Sequence, residues 1–115
     1  MDRKLIGALA EEEAVHYLRA NGYDIRARNW RWKRYEIDII AEKENELVFV
    51  EVKTRKDETF GYPEEFLSDA QEERIHLAAE AYCEEINWQS SIRFDIIAIL
   101  QNDFPNHLEH LEDAF

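Results

Sequence analysis

The sequence predicts an α/β fold with the element order αβββαβ. Three observations carry this. Arg3–Asn21 and a segment from Ser68 to about Glu85 repeat apolar residues at helical spacing. Residues 35–55, YEIDIIAEKENELVFVEVKTR, hold two apolar runs around a polar Glu42–Glu46 stretch, the pattern of a β-hairpin. A last apolar run, Arg93–Leu100, follows the second helical segment.

In the first helix Ile6, Ala10, Ala14, Tyr17 and Leu18 share a face, and Asn21-Gly22 supplies the stop. Glu11 lies at the edge of that face. Tyr23–Trp30 reads as the first strand. The hairpin strands are Glu36–Ala41 and Leu47–Thr54, and a turn centred between Glu44 and Asn45 makes opposed residue numbers sum to 89. Ile37 then faces Val52, Ile39 faces Val50 and Ala41 faces Val48, an apolar face fit for a core. The other face opposes Asp38 to Glu51 and Glu36 to Lys53, with Cβ atoms ~5 Å apart. A one-residue slip would mix the two faces, so the register is well specified. Lys56–Pro63 is expected to be a connector or a flap. Ser68 is placed to cap the second helix, with Gln71 completing a capping box. Phe94, Ile96, Ala98 and Leu100 share one face of the last strand, and Asp95 reads as structural. Residues 101–115 form an acidic tail broken at Pro105, in which His107 and His110 read as a solvated pair.

A chain of 115 residues is expected to form one domain with a modest core. No apolar run is long enough to span a membrane, and no signal-peptide pattern opens the chain. Its one cysteine, Cys83, has no partner for a disulfide or a Cys-based metal site. A cytoplasmic protein is the expectation. The net charge of −12 argues against generic nucleic-acid binding. The charge is uneven, however. Residues 1–60 hold 12 of the 14 basic residues and 13 of the 26 acidic ones, and the second half carries almost all of the excess. Phosphate contacts are therefore expected from the first half, where Arg26, Arg28, Arg31, Lys33 and Arg34 interleave with Trp30 and Trp32. The alternative is a core tryptophan with a solvated charged rim.

Two opposed carboxylates repel unless a proton, a basic partner or a cation joins them. Their spacing suits Mg²⁺, and Lys53 beside Glu51 is placed to orient a water or neutralise a phosphate. The alternative is a solvated strand face with a cross-strand Lys–Glu pair.

Asp38 followed by Glu51-x-Lys53 on the next strand resembles the PD-(D/E)xK nuclease signature. Further matches extend over nearly the whole chain. They include Asn21-Gly22-Tyr23, Arg28-Asn29-Trp30, Glu36–Ala41, Phe49–Arg55, Phe60-Gly61, Arg93-Phe94-Asp95 and Ala114-Phe115. Together they resemble the uncharacterised bacterial YraN family. The resemblance implies a restriction-endonuclease-like αβββαβ core, a mixed sheet flanked by helices, related to Holliday-junction resolvases. It implies Mg²⁺ or Mn²⁺ held by Asp38, Glu51 and the Val52 carbonyl, with Glu11 completing the shell. In that setting Asp38, Glu51 and Lys53 are the catalytic set, and Arg55 joins the Arg26–Arg34 patch on DNA. Branched or flapped DNA as substrate, and a homodimer, are implied only by the likeness to resolvases.

The expected function is thus a metal-dependent endonuclease or nuclease-like protein. The alternative is a non-catalytic nucleic-acid-binding or protein-interaction module with the same fold. A third option is a structural domain whose acidic second half docks a basic partner. Three features depart from the family pattern: Tyr35 before the Glu-Ile-Asp block, Gln71 where helix 2 usually carries a lysine, and the strong negative charge.

Overall fold

The computed structural model describes residues 2–55, 66–101 and 107–115. The loop expected at Lys56–Pro63 and the break at Pro105 lie outside the described residues. The elements are α1 (Arg3–Ala20), β1 (Asp24–Trp32), β2 (Tyr35–Lys43), β3 (Glu46–Arg55), α2 (Asp69–Ile86), β4 (Ser91–Leu100) and β5 (His107–Leu111). The fold is α/β, as expected, with one strand more than the sequence indicated.

The five strands form one mixed sheet in chain order, β1 to β5. β1, β2 and β3 form an antiparallel meander, β3 and β4 run parallel across the α2 connection, and β5 returns antiparallel along β4. Each helix covers one face. On one side Ala10, Ala14, Val15 and Leu18 of α1 pack on Ile39, Val48, Val50, Ile97 and Ile99. On the other, Ile75, Ala78, Ala79 and Tyr82 of α2 pack on Ile40, Leu47, Phe49, Ile96 and Ala98. The middle strands are therefore buried on both faces. This explains why they read as continuous apolar runs rather than as a clean alternation.

Local chemistry fixes the ends of the elements. Asp2 caps α1 by accepting from the Lys4 amide. The Ser68–Gln71 capping box of α2 is present in both directions. The β2–β3 turn is two residues long, and Glu44 and Asn45 both take positive φ, 51° and 65°. This is the backbone a tight hairpin needs to match strand twist.

The hairpin register matches the expected one from Ile39–Val50 through Ala41–Val48 to Lys43–Glu46. Beyond Ile39 it changes. Ile37 does not share the α1-side face of Ile39 and Ala41; it packs in the α2-side cluster with Ile40. On the neighbouring strand Ala27 and Trp30 both lie on the α2 side, with Asn29 between them at φ 50°. A left-handed residue reverses strand alternation locally, and β1 and β2 shift phase together at Asn29 and Asp38. The Val52 N–H here donates to the Asp38 carboxylate, at 2.9 Å. The phase shift thus opens the end of the hairpin that carries the acidic residues.

The tail holds a second correction. His110 is not solvated: its side chain is 8% exposed, in β5 against Tyr17 and Asp95. His107 and His110 lie on a strand three residues apart, so they point to opposite faces. No helix among the described residues is long and apolar enough to cross a membrane.

Candidate metal centre

Asp38 and Glu51 meet where β2 and β3 part. Glu51 lies on the same side of β3 as Leu47 and Phe49, toward α2. Its Oε1 is buried and, among the described residues, has no hydrogen-bond partner. Such an orphan is costly in a folded protein. Asp38 is tied down instead, through the Val52 amide.

Both acids are pushed toward their neutral forms. Burial raises Glu51 from its ordinary value to about 8; the charge of Asp38 adds to this, while Lys53 and the Asp38 amide pull the other way. Burial also raises Asp38, to about 6, against the Val52 amide and Lys53, with Glu11 and Glu36 adding repulsion. The two acids titrate as a pair, which keeps a proton at neutral pH unless a cation replaces it. Lys53 follows Glu51 on the same strand face and acts on both carboxylates. Glu11, half-buried on α1, is close enough for its charge to act on Asp38. Val52 stands between Glu51 and Lys53 on β3. A buried oxygen without a donor, beside a second carboxylate, fits a hard divalent cation, whereas Glu11 reaches Asp38 through its charge and its ligand atoms do not close with both carboxylates to within 4.8 Å.

Glu36 is not paired with Lys53. Arg31 of β1 takes it, at 3.2 Å. The basic stretch ahead of the hairpin is similarly engaged within the chain. Arg26 bonds Glu42 and also pairs with Asp24, and Arg28 pairs with Glu12 at 3.1 Å. Lys33 sits 4.5 Å above the Trp32 ring. Arg55 donates to the Thr54 carbonyl and lies over Phe66. Arg34 has no ion pair among the described residues.

A cleft of about 420 Å³ opens beside Glu51, between the β1–β2 turn and the start of α2. Arg34, Tyr35 and Glu36 line one side, Gln71 and Arg74 the other. Arg74 was not among the residues expected at the site. Its spacing of three residues from Gln71 is the signal that places the two on one helix face.

A second polar cluster lies on β4 and β5. Asp95 is fully buried. Its Oδ1 accepts from Arg93 Nε (2.8 Å) and the Asp113 amide (3.0 Å). Its Oδ2 accepts from Arg93 Nη2 (2.8 Å) and meets His110 Nε2 (2.7 Å). Burial pushes the Asp95 carboxyl up, but His110, Arg93 and the Asp113 amide outweigh it and hold the pKa below its ordinary value. Arg93 also reaches Glu46, Tyr23 and Glu112, and Tyr17 closes the chain on His110 Nδ1. Asp95, His110 and Glu112 each bring a ligand atom within 4.8 Å of the others, a spacing a metal ion can bridge. Arg93 already supplies a cation there, so the group works as a clasp between β3, β4, β5 and α1, in keeping with the structural reading of Asp95.

The model of the uncharacterised protein family UPF0102 matches residues 10–99. A UPF0102 protein of Phocaeicola vulgatus is 44% identical over 95% of this chain and 90% of its own length. One from Christiangramia forsetii is 42% identical over 96% and 92%. One from Bacteroides fragilis is 38% identical over 99% and 94%. Similarity at this level runs through the hairpin, both helices and β4, and on it the chain belongs to UPF0102, the YraN family.

Proposed function

We propose that this protein is a metal-dependent nuclease acting on DNA. The observation that carries the reading is the buried, unpartnered Oε1 of Glu51 beside Asp38. Asp38 and Glu51 would hold Mg²⁺ or Mn²⁺, and Glu11 and the Val52 carbonyl would complete the shell. When bound, such an ion polarises a phosphate oxygen and lowers the pKa of a coordinated water. Lys53 orients the attacking water and offsets charge on the phosphate. The Val52 amide fixes the Asp38 carboxylate, so that the acid pair is set before substrate arrives. Arg55 and, from the Arg26–Arg34 stretch, Lys33 and Arg34, which pair with no carboxylate among the described residues, contact the DNA backbone. Branched or flapped DNA is the substrate class suggested by the likeness to resolvases.

The test is a cleavage assay on single-stranded, duplex, flapped and four-way-junction DNA at low salt, with Mg²⁺ or Mn²⁺. Wild type and Asp38→Ala are run together. Cutting that needs metal and disappears in the variant is expected. No cutting on any substrate, with no metal-induced change at Asp38 or Glu51, overturns the proposal.

A second reading, a protein-interaction module without catalysis, is favoured by one observation: Arg26, Arg28 and Arg31 are engaged by the protein's own carboxylates, which leaves this face little charge for phosphates. It predicts protein affinity that divalent ions leave unchanged.

A further inference from the structure

We propose that the cleft beside Glu51 binds one unpaired nucleotide of a single-stranded DNA segment, with Tyr35 as the stacking platform and Arg34 and Arg74 as its phosphate contacts. This rests on the nuclease reading and gives it a substrate class.

In the Arg26–Arg34 stretch, Arg26, Arg28 and Arg31 are each ion-paired to a carboxylate, and Arg34 is not, among the described residues. Arg74, on α2, likewise has no ion pair among the described residues. Both line the same cleft, from two separate elements, with Glu51 at its wall. A phosphate in this cleft therefore finds two guanidinium groups that need not break an existing pair.

The shape of the cleft also suits a single strand. About 420 Å³ sits near the low end of ligand pockets, which run ~300–1,000 Å³, and leaves room for a nucleotide. Duplex DNA instead needs a broad basic face that tracks two strands. Here the broad face of β1 is neutralised by Glu12, Glu36 and Glu42, and the chain carries a net charge of −12. The cleft sets Arg34 and Arg74 beside Glu51 and beside Glu36, which Arg31 already pairs, so its available cations are few and local, which favours a thin strand that touches the protein at few phosphates.

Tyr35 lines the cleft and is half-buried, and Trp32 lies 5.9 Å from it, tilted 48°. Tyr35 is the ring that the cleft itself presents, beside two arginines with no ion pair among the described residues, and an unpaired base has a free π-face to stack on it, whereas bases in a duplex are already stacked. Tyr35 thus selects strand state at the entrance of the site.

The test measures binding apart from cutting. Fluorescence anisotropy in EDTA and in Ca²⁺ follows labelled oligonucleotides, single-stranded, blunt duplex and 3′-flapped, on the full chain. Single-stranded and flapped DNA are expected to bind at least ~10-fold tighter than duplex. Tyr35→Ala should lose about 10-fold for single strands, and Tyr35→Phe should retain wild-type affinity. Arg34→Gln and Arg74→Gln should each reduce the salt dependence by about 0.7, the slope of one single-strand phosphate contact. Arg19→Gln, exposed on the far end of α1, is the control and should change neither. Equal or tighter duplex binding, or an unchanged single-strand affinity in Tyr35→Ala, overturns the inference. Mn²⁺ binding to wild type, read by electron paramagnetic resonance, separates the two proposals. A protein that prefers single strands through Tyr35 but binds no Mn²⁺ overturns the nuclease and keeps the cleft. One that binds Mn²⁺ and treats both DNA forms alike does the reverse.

Discussion

Replacing Glu51 by Gln should stabilise the metal-free protein at neutral pH. Glu51 is a buried carboxyl whose pKa rises from 4.5 to about 8 on folding. Between those values the folded chain holds a proton that the unfolded chain has released. Folding therefore takes up a proton, and stability falls as pH rises through this window. At pH 7 the distance from the unfolded value costs about 3 kcal/mol, at 1.36 kcal/mol per unit, and at pH 5 less than about 1 kcal/mol. Gln has nearly the same shape and no charge, so it escapes this cost and also relieves the repulsion on Asp38. For a chain of this size about 3 kcal/mol corresponds to a rise in Tm of roughly 10 °C. The assay is thermal unfolding by circular dichroism in EDTA, from pH 5 to 8, for wild type and Glu51→Gln. The variant should melt higher at pH 7 and above, and the two curves should converge toward pH 5. Excess Mn²⁺ should raise the wild-type Tm and leave the variant nearly unmoved, because binding to the folded state alone adds stability. Equal melting at all pH values, or a variant less stable at pH 7, would refute the claim that this carboxyl is buried without a partner.

Three further outcomes follow from particular contacts. Asp38→Ala should abolish the Mn²⁺-induced rise in Tm, since it removes one carboxylate and the anchor of the Val52 amide; calorimetric titration with Mn²⁺ checks it. Arg93→Met should cost about 3 kcal/mol in urea unfolding, because it leaves the buried Asp95 carboxylate without its main cation. The Asp95 pKa is lowered on folding, so its contribution is present above its unfolded pKa and is lost as pH falls through the folded one. The acid side of the wild-type stability curve should therefore be steeper than that of Arg93→Met. Glu44→Asn should stabilise by about 0.5 kcal/mol, because asparagine tolerates the positive φ of this turn better than glutamate does; the urea midpoint reads it.

The sequence by itself determined the parts that rest on local pattern. A short polar turn between two apolar runs set the hairpin register, since only one alignment puts like with like, and the structure keeps it from Ile39–Val50 onward. Ser68 and Gln71 announced the start of α2 because a capping box is made within four residues. The order of helices and strands followed for the same reason, and so did the motif that indicated the family.

What only the tertiary structure decided depends on partners far apart in the chain. The phase shift at Asn29 and Asp38 needs two strands to bend together, and no periodicity within one of them reveals it. β5 was missed because HLEHL is short and does not alternate; its place is fixed by β4 and by His110 reaching Tyr17, 93 residues away. The arginines of β1 looked alike in sequence. Ion pairs with Glu12, Glu36 and Glu42, set by strand pairing and by the seat of α1, separated them from Arg34. Burial did the same for the carboxylates. Asp38, Glu51 and Asp95 are the same chemistry on paper, yet the first two were left short of donors and the third was given four hydrogen-bond contacts. Side-chain charge is written in the chain, but its free energy is set by the water and partners that folding removes or supplies.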